Sequence, residues 1–95
     1  MEIIWTKRAE KGLSKTIDYL EKNWTKKEIL RLELNIIHFI ERIKLQPDIY
    51  PKTAKYNHLH KGMADENNYI VYWINSRKNQ IVIVNFRGAK RKPIY

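Results

Sequence analysis

Tyr69-Ile70-Val71-Tyr72-Trp73-Ile74-Asn75, then Ser76-Arg77-Lys78-Asn79, then Gln80-Ile81-Val82-Ile83-Val84-Asn85-Phe86 reads as two β-strands joined by a tight turn. The first run is dense in aromatic and β-branched residues, which suit a pleated, packed surface. The four residues after it are polar and close a hairpin. The second run is apolar at successive positions, so both of its faces are expected to be covered, as in a central strand.

Toward the C-terminus, the second run leads straight into Arg87-Gly88-Ala89-Lys90-Arg91-Lys92-Pro93, and the sequence ends at Tyr95. A rigid strand would deliver Arg87 and the cluster Lys90, Arg91 and Lys92 to one end of a sheet. No Asp or Glu follows Glu66, so nothing acidic nearby in sequence neutralises them. Such a cluster suits a phosphate-rich or acidic partner. It also fits a solvated, frayed basic tail.

Toward the N-terminus, Gly62–Asn68 is a polar loop. Tyr56–Lys61 alternates, with Tyr56, His58 and His60 on one side and Asn57, Leu59 and Lys61 on the other, which predicts a strand. Asp48–Ala54, with Pro51, reads as loop. Before it, Thr25-Lys26-Lys27-Glu28 spells a capping box and opens a helix to about Leu45, with Pro47 just beyond its end. Ile29, Leu32, Ile36, Phe39 and Ile43 form its main stripe. Leu30, Leu34, Ile37 and Ile40 widen that stripe, so burial on more than one side is expected. A first helix starts after Thr6, a residue suited to the N-cap. It carries Ala9, Leu13, Ile17, Leu20 and Trp24 on one face. Gly12 weakens it slightly or lets another element pack close. Ile3-Ile4-Trp5 is a short β-like run. Trp24 is expected to cap the helix pair, and Trp5 and Trp73 to pack in or beside the core.

The element order is therefore β-α-α-β-β-β in a single domain, residues 1–95. The fold class is α+β, with a helical hairpin packed on one face of an antiparallel sheet whose last three strands form a meander. At 95 residues there is room for one core. The composition is 43% hydrophobic and 31% charged with a net charge of +9, which supports a globular fold and favours polyanionic partners. The absence of Cys excludes a thiolate-ligated zinc site and suits a reducing compartment. The charged N-terminus lacks a signal peptide's apolar run. No apolar stretch is long enough to span a bilayer. A cytoplasmic protein with no membrane partner is expected.

These words in this order resemble the ParE/RelE superfamily of bacterial toxins. The matching words are Ile4-Trp5-Thr6-x-x-Ala9, Ile17-x-Tyr19-Leu20 with Trp24, Ile40-x-x-Ile43, and Gln46-Pro47-Asp48. They continue with Tyr69-Ile70-Val71-Tyr72 and the Ile81–Val84 strand with its basic end. The resemblance implies the toxin of a type II toxin–antitoxin (plasmid stabilisation) system. It also implies a cognate antitoxin whose acidic, amphipathic C-terminal segment wraps the toxin. RelE-like members are ribosome-dependent mRNA endoribonucleases, whereas ParE-like members inhibit DNA gyrase.

Metal-free RNA cleavage needs a base for the 2′-OH, cations for the transition state and an acid for the leaving oxygen. By resemblance to the RelE pattern, His58, His60 and Lys61 fall near its Lys-x-Lys. Ala89-Lys90-Arg91 falls at its basic word, and Tyr95 at its terminal Tyr. Arg87 and Arg91 are the cations suited to bidentate phosphate contact. The pattern's third-strand Arg has no counterpart, since Tyr69–Ile74 carries no cation. The ParE-like reading is preferred on that ground, with Arg87, Lys90, Arg91 and Lys92 as target-binding residues. A non-toxic nucleic-acid-binding domain is the third reading. No cofactor or metal is implied.

Overall fold

The computed structural model describes all 95 residues. Strand β1 (Glu2–Trp5) leads into helix α1 (Lys7–Asn23), helix α2 (Lys26–Leu45), and strands β2 (His60–Met63), β3 (Asn68–Asn75) and β4 (Gln80–Gly88). The Thr6 hydroxyl accepts the Ala9 amide at 3.2 Å, which satisfies one orphan donor of α1. The same hydroxyl donates to the Ile83 carbonyl at 2.9 Å and so ties the helix start to the sheet. At α2 the Thr25 amide donates to the Glu28 carboxylate at 3.1 Å, and the Thr25 hydroxyl meets the same oxygen. These bonds hold the Glu28 carboxyl below its usual range, with the Thr25 side chain the largest cause.

The strand order is β1-β4-β3-β2. The β2–β3–β4 meander is antiparallel, as expected from its short connections. Strand β1 instead pairs in parallel with β4. The helical hairpin is the crossover that a parallel pair requires, so the sheet as a whole is mixed. Strand β4 is flanked on both sides, in keeping with its unbroken apolar run.

The helices cover one sheet face. Ala9 of α1 and Leu32, Ile36, Phe39 and Ile43 of α2 form the main core with Ile70, Tyr72, Ile81, Ile83 and Phe86. Gly12 is where α1 meets β4 most closely. A Cβ there would lie 2.1 Å from the Phe86 carbonyl oxygen, so the close-approach reading of this glycine holds.

The structure corrects further expectations. The strand over Tyr56–Lys61 starts only at His60, because residues 56–59 form a turn held by Thr53, whose hydroxyl donates to the Tyr56 carbonyl at 2.7 Å. Helix α2 is buried on one side only. Leu30, Leu34 and Ile37 are at least half exposed, since nothing packs over the outer flank of the hairpin. Trp24 closes α1 as its C-cap, its amide donating to the Leu20 carbonyl at 2.8 Å, with the side chain 56% exposed, while Trp5 and Trp73 pack against cores as expected. A β-bulge interrupts the β3–β4 pairing, with Tyr72 opposite Ile83 but Val71 opposite Asn85. Val84 is the extra residue. It reverses the alternation beyond it, so Phe86 joins the helix-side core while Asn85 and Arg87 turn to the other face.

Candidate functional site

The face of the sheet away from the helices carries its own small core of Leu59, Tyr69 and Val71, with Trp73, Val84 and Tyr95 packed against it. The bulge adds Asn85 and Arg87 to this face. Strands β2 to β4 and the segment after them hold no Asp or Glu, and many of the carboxylates ride on the helices. On β2 to β4 the open face is therefore aromatic and cationic, while β1 adds Glu2, whose carboxylate accepts from the Gln80 side chain at 3.1 Å.

Tyr69 sits at its centre. Arg87 is its direct cross-strand partner. The Lys61 ammonium lies 4.3 Å from the Tyr69 ring centroid, a cation–π contact. Burial pushes the Tyr69 phenol up, and Arg87 is the main charge opposing that shift, with Arg91 contributing. Arg87 is close enough to favour the phenolate, yet the Tyr69 hydroxyl and the Arg87 Nε are both buried without a hydrogen-bond partner.

The C-terminal segment is folded back rather than frayed. After β4 the Ala89 amide donates to the Asn67 carbonyl at 2.7 Å, and the Arg91 amide to Gly88 at 3.3 Å. The Arg87 Nη2 donates to the Lys92 carbonyl at 2.8 Å. The Asn85 side-chain amide donates to the Tyr95 hydroxyl at 3.0 Å. The Tyr95 ring meets Tyr69 and Tyr56 edge-on at 6.3 and 6.1 Å. With Arg8, Lys55, His58, Trp73 and Ile94, it lines a shallow cleft of about 590 Å³.

The predicted site residues divide as follows. Lys61, Arg87, Arg91 and Tyr95 come together around Tyr69. His58 lies beside Tyr95 in the cleft. His60 does not share its face. It is buried on the helix side, stacked on Tyr72 at 5.1 Å, and its Nδ1 donates to the Tyr50 carbonyl at 2.7 Å. Residues 56–59 turn, so the alternation that was to pair the two imidazoles never forms. Lys90 turns away as well, into a separate cleft against α1 and α2 with Tyr19, Trp24 and Asp65. Lys92 is exposed and contributes its carbonyl to Arg87. The sequence reading missed Tyr69 and Asn85. A polar Asn within an otherwise apolar strand was the available signal.

A helical hairpin lies across one face of a four-stranded mixed sheet, with β1 parallel to the last strand, and solved structures share this fold. Among solved structures the chain is similar to a YoeB/ParE toxin from Agrobacterium tumefaciens, with a TM-score of 0.69 and 13% identity, over 93% of this chain and 98% of the other. It is also similar to the conserved hypothetical protein HP0892 from Helicobacter pylori, with a TM-score of 0.55 and 15% identity, over 94% of each chain. No protein-family model and no curated protein sequence matches. No helix is long and apolar enough to cross a membrane.

Chemically, the open face offers fixed cations, aromatic rings for stacking and a Tyr hydroxyl at its rim. Such a set is chemically suited to phosphates and bases.

Proposed function

We propose that this chain is the toxin of a type II toxin–antitoxin pair and that it acts as a binding module. In this reading the open face of its sheet grips an anionic target, in the manner of a ParE-like gyrase inhibitor. The observation that carries the reading is the placement of Lys61, Arg87 and Arg91 around Tyr69, with no Asp or Glu on β2 to β4 or in the segment after them. Binding by fixed cations raises on-rate and affinity for polyanions without any proton transfer. The division of the candidate acid–base groups supports binding over cleavage: His60 is buried on the other face, and Tyr95 is engaged by Asn85.

A second reading, a RelE-like mRNA endoribonuclease, is favoured by Tyr95 and His58 sharing one cleft beside the cations. There His58 would act as base, Tyr95 as acid, and Lys61, Arg87 and Arg91 as transition-state stabilisers.

The partner in either reading is an antitoxin segment that is acidic and amphipathic. The uncovered stripe Leu30, Leu34 and Ile37 on a chain of net charge +9 supports it. Apolar contacts are not screened, so such a complex would survive salt that strips nucleic acid. Induced expression in bacteria is the test. Growth arrest with relaxed plasmid DNA supports the gyrase reading, arrest with cut translated message supports the nuclease, and unimpaired growth refutes both.

A further inference from the structure

We infer that the segment Ala89–Tyr95 is a strap that occupies the Arg87 guanidinium in the free protein, and that nucleic-acid phosphate binds once the strap lifts. The inference rests on the open face being the target-gripping surface and adds how that face is regulated.

Three observations converge. First, the Arg87 Nη2 is held by a carbonyl of the strap itself, that of Lys92. A neutral carbonyl is a weaker acceptor for guanidinium than a phosphate, which takes two parallel charge-assisted bonds. Second, the Arg87 Nε and the Tyr69 hydroxyl are buried close to each other, and neither makes a hydrogen bond of good geometry. Nε is half of the donor fork with which Arg meets a phosphate. The closed arrangement therefore leaves a bidentate donor half used, and leaving buried polar atoms unpaired weakens it. Third, the far end of the strap is held by a single hydrogen bond and by ring packing. Tyr95 receives one bond from Asn85 and makes edge contacts with Tyr69 and Tyr56, while Arg91, Lys92 and Pro93 are exposed. The near end is firmer, through the Ala89 bond to Asn67. The strap can thus lift from its tip, with Ala89 as hinge, and the Lys92 carbonyl leaves as a phosphate oxygen arrives.

A ligand that binds only the open form has its affinity reduced by the open fraction. Loosening the tip should therefore tighten binding, although it removes an aromatic ring from the cationic face. The test measures fluorescence anisotropy of a labelled 12-nucleotide single-stranded DNA with the purified full-length protein at several salt concentrations. With the strap open about one-tenth of the time, Tyr95→Ala binds up to about tenfold tighter than the unaltered chain. Its log–log salt slope matches that of the unaltered chain, since both bind in the same open form with the same phosphate contacts. Arg87→Gln alone weakens binding, and in the Tyr95→Ala background it abolishes the gain. In the unaltered protein, the DNA accelerates removal of Tyr95 by a carboxypeptidase, a measurement that stands even where Tyr95→Ala fails to fold. Weaker or unchanged binding by folded Tyr95→Ala, a gain that survives Arg87→Gln, or protection of Tyr95 by the DNA overturns the strap. Absence of binding by either protein at low salt overturns the reading of the face, and the strap with it.

Discussion

Gly12→Ala sets two opposed effects against each other. Ala is the better helix former by about 1 kcal/mol, so on an isolated α1 the change would stabilise. In the folded chain the new methyl would stand 2.1 Å from the Phe86 carbonyl oxygen and 3.2 Å from its carbon. Ordinary C···O approach is about 3.3 Å or more, so α1 and β4 must separate by roughly 1 Å. Both partners are backbone, and no rotamer change relieves the contact. Overpacking of this kind costs about 1–3 kcal/mol, and the absence of a flexible side chain puts this site at the upper end or beyond it. The net expectation is a loss of about 2 kcal/mol, or roughly 10 °C in Tm for a domain of this size. Urea unfolding gives the number, with exposed Ser14→Ala as the control for helix propensity alone. A Gly12→Ala chain as stable as the original, or more stable, would refute the close-approach account of α1 on β4.

Two further substitutions test the helix-side core. Burial pushes the Tyr72 phenol up to about 12, and its hydroxyl donates to the Pro47 carbonyl at 2.6 Å. The folded pKa lies above the unfolded value near 10, so the contribution is complete below pH 10 and is lost as pH rises toward 12. Relative to Tyr72→Phe, the unaltered chain should lose about 2 kcal/mol across that window in pH-dependent denaturant melts, and parallel curves would contradict this. His60→Ala removes a stacked ring and leaves the Tyr50 carbonyl without its donor. It should lower stability by about 1–3 kcal/mol while leaving oligonucleotide affinity within twofold, and a selective loss of binding would return His60 to the functional face.

How far the sequence carries can be seen residue by residue. Periodicity placed α1 and α2, because helix faces repeat locally and the Thr6 and Thr25 caps mark their starts. It also placed the Tyr69–Phe86 hairpin. It did not place the Val84 bulge, which no local pattern announces and which decides that Arg87 looks away from the helices. His58 and His60 were paired by assumed alternation, and the Thr53-held turn cancels it. The wide stripe on α2 read as burial, yet apolar residues there are exposed, and a partner's surface is invisible to the pattern of one chain. The strap was legible only as a basic tail, because its fastening depends on Asn85 and Arg87, side chains aimed by that same bulge.

In the proposed function the cations around Tyr69 on the open face act on the target. The most direct measurement of that action is colony formation after induced expression of the unaltered chain, the triple variant Lys61→Gln, Arg87→Gln, Arg91→Gln, and a control triple Lys11→Gln, Lys15→Gln, Lys22→Gln on the exposed side of α1, with folding of each checked by melting. Arrest by the unaltered and control chains, together with growth of cells making the folded open-face variant, is the predicted result. Equal arrest by all three, or arrest abolished only by the helix substitutions, would contradict it.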